Sequence, residues 1–184
     1  CRIGDINYIK KNISNNFEKD FSIFDHYWGR PLNRWNIQKC FEIACNYGYI
    51  EIVDFLYEKY KKYQTRIIRL FDFDSINFYD GLRSACYNGN LEIVKLLYSK
   101  GLEIKKFLPK ACKSKKIELI NFLTEKGADN FNGGFENACC KGNFNIISYL
   151  LIKGASNLNV GLKCASRAGH YILVKYLINL GAND

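Results

Sequence analysis

Residues 82–97 read Leu82-Arg83-Ser84-Ala85-Cys86-Tyr87-Asn88-Gly89-Asn90-Leu91-Glu92-Ile93-Val94-Lys95-Leu96-Leu97, and this stretch decides the fold. Laid on the rest of the chain without gaps, it matches Leu108–Leu123, Phe135–Leu150 and Leu162–Leu177, with Phe41–Leu56 as a fifth copy. Ala44, Ala85, Ala111, Ala138 and Ala165 mark the register, and subtraction gives spacings of 41, 26, 27 and 27. So constant a period is the signature of a repeat array, in which each unit buries its apolar face only against its neighbours.

The spacing inside each unit is helical. Leu91, Ile93, Val94 and Leu97 follow the i, i+3, i+4 pattern of a buried stripe, as do Ile50, Val53 and Leu56. In the last copy the stripe reads Ile172, Val174 and Leu177, shifted by one at its first position. The first half sets an apolar residue three before each alanine, which makes a short helix with one slim apolar face. Gly48, Gly89, Gly142 and Gly169 lie between the halves, and Gly101, Gly127, Gly154 and Gly181 follow the second. Both are places where a helix ends in the left-handed conformation. Each unit thus reads helix, tight turn, helix, glycine stop. Helices of about ten residues are marginal alone, so stacking must supply their stability.

The run Leu82-x-x-Ala85-Cys86-x-Asn88-Gly89-Asn90-Leu91-Glu92-Ile93-Val94-Lys95-Leu96-Leu97, with Gly127-Ala128-Asp129 and Gly181-Ala182-Asn183-Asp184, closely resembles the ankyrin repeat. The resemblance covers nearly all of 38–184, and Cys1–Ile13 is similar to a partial copy. The chain looks most like the ankyrin proteins of giant viruses and other A/T-rich genomes. It implies an all-α helix–turn–helix solenoid. The family period is about 33 residues, so a period of 26 or 27 implies shortened β-hairpin fingers. The Thr-Pro-Leu-His opening of the family is replaced by Asp80-Gly81-Leu82-Arg83, which puts its inter-repeat hydrogen bonds in doubt.

The expected organisation is one repeat domain over 1–184. It comprises a partial repeat 1–13, an aromatic insertion 14–37, and repeats 38–78, 79–104, 105–131, 132–158 and 159–184. No polar capping repeat follows the last copy, so further repeats are expected in a longer array. The long interval from Ala44 to Ala85 predicts a longer second helix and loop between Glu58 and Tyr79. Phe17, Phe21, Phe24, Tyr27, Trp28 and Trp35 make the insertion either a plug packed on the stack, the favoured reading, or an exposed aromatic anchor for a partner.

Hydrophobic residues at 48% and charged residues at 24% exclude wholesale disorder. No apolar run approaches the roughly 18 residues a membrane helix needs, and the start lacks a signal peptide's apolar core. Cys1, Cys45, Cys86, Cys112 and Cys139 share one small, buried position, while Cys140 and Cys164 are expected to be the exposed thiols. Equivalent helices should lie about 8–10 Å apart, beyond the roughly 7 Å limit for a disulfide. Reduced thiols point to a reducing intracellular compartment. There is no CxxC, and only His26 and His170 could assist zinc, so no metal or cofactor is expected. No nucleophile, carboxylate pair or phosphate loop stands out, so the chain reads as non-enzymatic.

The net charge is +9, and Lys100–Lys126 holds eight lysines against three glutamates. Nucleic acid could use that density, but no recognition motif accompanies it. An acidic protein makes better use of it.

The resemblance implies a monomeric scaffold that binds a protein on the concave face of its first helices. The two positions before each inter-helix turn carry over as contacts: Asn46 and Tyr47, Tyr87 and Asn88, Lys113 and Ser114, Cys140 and Lys141, Arg167 and Ala168. Tyr79, Lys105, Asn132 and Asn159, three before each first-helix apolar residue, should border the same groove. These types vary from repeat to repeat while the core positions hold.

Overall fold

The computed structural model describes residues 34–64 and 76–183. The partial copy 1–13, the insertion as far as residue 33 with its His26, and the loop 65–75 lie outside the described residues. Every regular element among the described residues is helical. Where shortened fingers were expected, 101–104, 127–130 and 154–157 carry no strand. No described helix is long and apolar enough to cross a membrane.

The chain divides after Leu82 into two compact units. The first contains α1 (Arg34–Tyr47) and α2 (Ile50–Gln64), packed on each other, and the start of α3 (Phe78–Asn88). At 15 residues, α2 outruns the nine-residue second helices that follow, as the long Ala44–Ala85 interval requires. Phe78 centres an aromatic cluster, its ring 4.7 Å from Tyr57 and 5.2 Å from both Phe41 and Tyr60.

The second unit holds the end of α3, then α4 (Leu91–Ser99), a 3-10 turn (Lys105–Phe107), α5 (Leu108–Ala111) and α6 (Ile117–Glu125). It continues with α7 (Phe131–Lys141), α8 (Phe144–Ile152), α9 (Leu158–Arg167) and α10 (Tyr171–Asn179). First helices lie side by side: α7 packs on α5 and on α9. Second helices touch through Tyr98 and Phe122 at 5.9 Å, Thr124 Oγ1 and Tyr149 Oη at 2.7 Å, and Phe144 and Tyr176 at 5.8 Å.

The core repeats as the period demands. The residue three before each register alanine and the alanine itself are buried, and so is the residue after it in every copy but the last, as in Leu108, Ala111, Cys112 and in Phe135, Ala138, Cys139; Ser166 of the last copy is exposed. The last copy departs in two ways from the sequence expectation. Ile172 is 74% exposed, and Leu173 takes the buried place with Leu177. The stripe therefore keeps the common register: Leu173 is equivalent to Ile93, and a residue at 172 points outward like Glu92. Cys164 is buried, not exposed, because it precedes Ala165 on the side of α9 that faces α7.

A glycine immediately before the first-helix anchor lets neighbouring helices close up. A Cβ at Gly161 would sit 2.4 Å from Phe135 Cε1 and 3.0 Å from Cys139 Sγ, and one at Gly134 would sit 2.9 Å from Cys112 Sγ. In the first unit Gly81 meets Phe41 in the same way, at 2.2 Å. Such contacts are sub-van der Waals, so no larger residue fits without shifting a close-packed neighbour.

Candidate functional site

Two hydrogen-bonded closures set the ends of each helix pair. At the inter-helix turn, a glycine in the left-handed region lets the amide of the next residue reach back to the register alanine. Asn90 N donates to Ala85 O at 2.9 Å, Asn143 N to Ala138 O at 3.2 Å and His170 N to Ala165 O at 3.0 Å. The third repeat lacks the glycine, and Lys115 adopts φ 63° in its place. There Ser114 supplies the closure: its Oγ donates to Ala111 O at 2.7 Å and accepts from Lys116 N at 3.2 Å. Ser114, expected as a partner contact, therefore has a structural task of its own.

The same repeat has the shortest first helix. Its α5 spans only Leu108–Ala111 with Pro109 in the first turn, so Lys110 lies on the helix and Lys113, Lys115 and Lys116 follow it. Proline cannot donate to a preceding turn, so the segment before it is a 3-10 turn. The Pro109 carbonyl is taken by the next repeat, from Asn137 Nδ2 at 2.9 Å.

At the opposite end, carboxamides latch successive loops together. Asn132 Oδ1 accepts from Ser156 N at 2.8 Å and Asn157 N at 3.3 Å, and Asn159 Oδ1 accepts from Asn183 N at 3.2 Å. In the first unit Gln38 Oε1, at the equivalent position, accepts from Asn77 N at 2.8 Å. Lys105 occupies that position in the third repeat and lays its stem over Gly127. Asn132 and Asn159 thus spend acceptor oxygens on loop order.

The remaining expected contacts divide by unit. In the first, Asn46 is half-buried at the end of α1, Tyr47 is 66% exposed with its ring 6.2 Å from Tyr49, and Tyr79 is exposed at the start of α3. In the second, Tyr87, Asn88, Lys141, Arg167 and Ala168 are exposed, and Lys113 and Cys140 are half-buried. Asn88 turns its amide onto Ser84 O at 2.9 Å. Lys141 Nζ lies 6.0 Å from the centroid of the Tyr87 ring, so residues two repeats apart meet over the intervening one.

Position on the helix finds further members of this face. Counting from the register alanine, the residues at −2, +2 and +3 lie off the buried stripe, as does the −1 residue except in the last copy, where Cys164 is buried. Arg83, Lys110 and Lys163 therefore join Lys113, Lys141 and Arg167, and all but half-buried Lys113 are exposed. The signal was present in the aligned repeats, but reading only the two positions before the turn missed it. Among the described residues no carboxylate forms a salt bridge with Lys110, Lys113, Lys141 or Lys163. Glu136 is the one acidic residue at these positions in the second unit.

The Lys100–Lys126 run does not form one patch. Lys105 and Lys126 lie at the loop end, with Lys126 Nζ 5.4 Å from the Tyr98 ring and 5.7 Å from that of Phe122. Lys113, Lys115 and Lys116 lie at the turn end, where Lys116 packs on Gly89.

The described cysteines are free thiols. Burial pushes Cys86 and Cys112 up to about 12. Cys139 is also raised to about 12, by burial first and then by Cys164 and Cys140. For Cys164, again about 12, burial leads, followed by its hydrogen bond to Cys140 and the nearby Glu136, against the lowering charge of Arg167. Protonated thiols of this kind are poor nucleophiles and poor metal ligands. Among the described residues no three His, Cys, Asp or Glu side chains gather where they could hold a metal ion. His170 packs its ring on Gly142, with Nε2 3.2 Å from the Cys140 carbonyl.

No protein-family model matches the chain, and neither does any curated protein sequence.

Proposed function

We propose that this chain is an ankyrin-type repeat protein without enzymatic activity, and that it holds a protein partner on the exposed face of its first helices. One observation carries the reading: Tyr87 and Lys141 meet across the repeat between them. Adjacent helices are about 8–10 Å apart, and two long side chains span two such intervals here, which supports one continuous outer face on the first helices. A face ordered in advance spares a ligand the entropy of ordering its receptor. The buried columns repeat while the residues of this face differ from one repeat to the next, which fits a constant frame carrying a specific surface. Free, largely buried thiols suit a reducing intracellular compartment.

The test is partner capture by the immobilised chain, followed by identification of what is retained. Tyr87→Ala combined with Lys113→Glu is expected to abolish retention while helical content and melting stay unchanged. If the variant unfolds instead, the face is core and the reading fails.

A further inference from the structure

We infer that the ligand of this surface is an acidic polypeptide segment carrying an aromatic or aliphatic residue, rather than a nucleic acid. The inference deepens the proposed function and rests on it. The outward positions of the first helices in the second unit hold Arg83, Lys110, Lys113, Lys141, Lys163 and Arg167 against Glu136 alone. Second helices differ: Lys95 is answered on its own helix by Glu92, Nζ to Oε1 2.9 Å, and Glu118 lies outward on α6. The first helices therefore carry an excess of positive charge that the second helices, with Lys95 and Lys175 against Glu92, Glu118 and Glu125, do not.

Among the described residues, no carboxylate pairs with Lys110, Lys113, Lys141 or Lys163 to compete with a ligand's. Spaced by the helix repeat, they form a row of separate cations, each suited to one carboxylate. Complementarity of this kind selects partners and speeds their encounter. Tyr87, 44% exposed with Lys141 on its ring, adds an amphipathic plate of the sort that anchors side chains at protein interfaces. Glu136 distinguishes peptide from nucleic acid. A carboxylate within the row repels a continuous phosphate backbone, which has no donor to offer it, whereas a peptide can answer it with a backbone N–H, a hydroxyl or a lysine.

The experiment measures fluorescence anisotropy of the intact chain with three labelled probes. They are a peptide of alternating glutamate and serine with one central phenylalanine, its lysine-for-glutamate counterpart, and a single-stranded oligonucleotide of equal length. The glutamate peptide should bind and weaken with added salt. Lys113→Glu with Lys141→Glu should lower that affinity about tenfold or more. Lys153→Glu with Lys175→Glu, the same change of charge away from the first helices, should alter it less than about twofold. Oligonucleotide binding as tight as the peptide's would overturn the inference in favour of a general polyanion site. Equal loss with the Lys153→Glu, Lys175→Glu pair would overturn it in favour of bulk charge. Binding of neither peptide, or of the lysine peptide alone, would also overturn it. In that case Tyr87-dependent capture of a native partner would still uphold the proposed function.

Discussion

Lys141 Nζ sits 6.0 Å from the ring centroid of Tyr87, although a whole repeat lies between their helices. Exposed cation–π pairs are worth about 0.5–1 kcal/mol, so this one orders the surface without stabilising the fold much. A double-mutant cycle of Tyr87→Ala and Lys141→Ala in urea should give a coupling of about 1 kcal/mol or less. A coupling above roughly 2 kcal/mol would show the two residues to be structural rather than ligand-facing.

The turn of the third repeat is the weak point of the frame. Lys115 holds φ 63° where the other copies have glycine, at a cost of about 1–2 kcal/mol for a side chain in that region. Glycine returns part of this as unfolded-state entropy. Lys115→Gly should therefore stabilise the chain by about 0.5–1 kcal/mol, read from the urea midpoint. Ser114→Ala should destabilise it by about 1 kcal/mol, because Lys116 N and Ala111 O lose the hydroxyl between them. Ser114→Thr should recover most of that loss.

Close helix approach depends on Gly161. A methyl group there falls 2.4 Å from Phe135 Cε1, and overpacking costs about 1–3 kcal/mol. Gly161→Ala should lower the melting temperature, and adding Phe135→Leu should restore part of it. If the second change only adds to the loss, the contact is not the cause.

The carboxamide latch separates acceptor chemistry from size. Asn132 uses Oδ1 towards two loop amides. Asn132→Asp, which keeps the acceptor, should stay within about 0.5 kcal/mol of the original, whereas Asn132→Leu should lose about 1 kcal/mol. Hydrogen exchange at Ser156 and Asn157 should accelerate in the leucine variant alone.

The thiols set an alkaline limit. Cys86, Cys112, Cys139 and Cys164 are raised from 9.0 to about 12, chiefly by burial. Their folded values lie above the unfolded value, so the stability they contribute is full below about pH 9 and lost as pH climbs towards 12. Urea midpoints should fall across that window, and less steeply in a Cys86/Cys112/Cys139→Ala variant. At neutral pH a thiol reagent should modify half-buried Cys140 and Cys40 before the buried thiols.

Much of the frame was legible in one dimension. Helical periodicity is local, so the spacing of Leu82, Ala85, Cys86, Ile93, Val94 and Leu97 marks the buried side of each helix, and the glycines mark where helices stop. The same rule exposes the misreading at Ile172: a strict register would have placed Leu173 inside. The first-helix surface was half legible, since its columns can be counted, yet Lys110 and Lys163 emerge only when the outward side of the helix is read whole.

What only the tertiary structure decided is which side chains meet across repeats. Ser114 stands in for a missing glycine turn, Asn132 and Asn159 latch the following loops, and the Lys100–Lys126 run splits between two ends of one helix pair. Tyr87 reaches Lys141 over its neighbour. The physical reason is that period and burial follow from a single helix's geometry, whereas these contacts depend on how closely successive helices pack and which way the stack bends. The sequence by itself determined a repeated all-helical chain with alternating core and surface positions; three-dimensional packing decided which of those surface positions face one another.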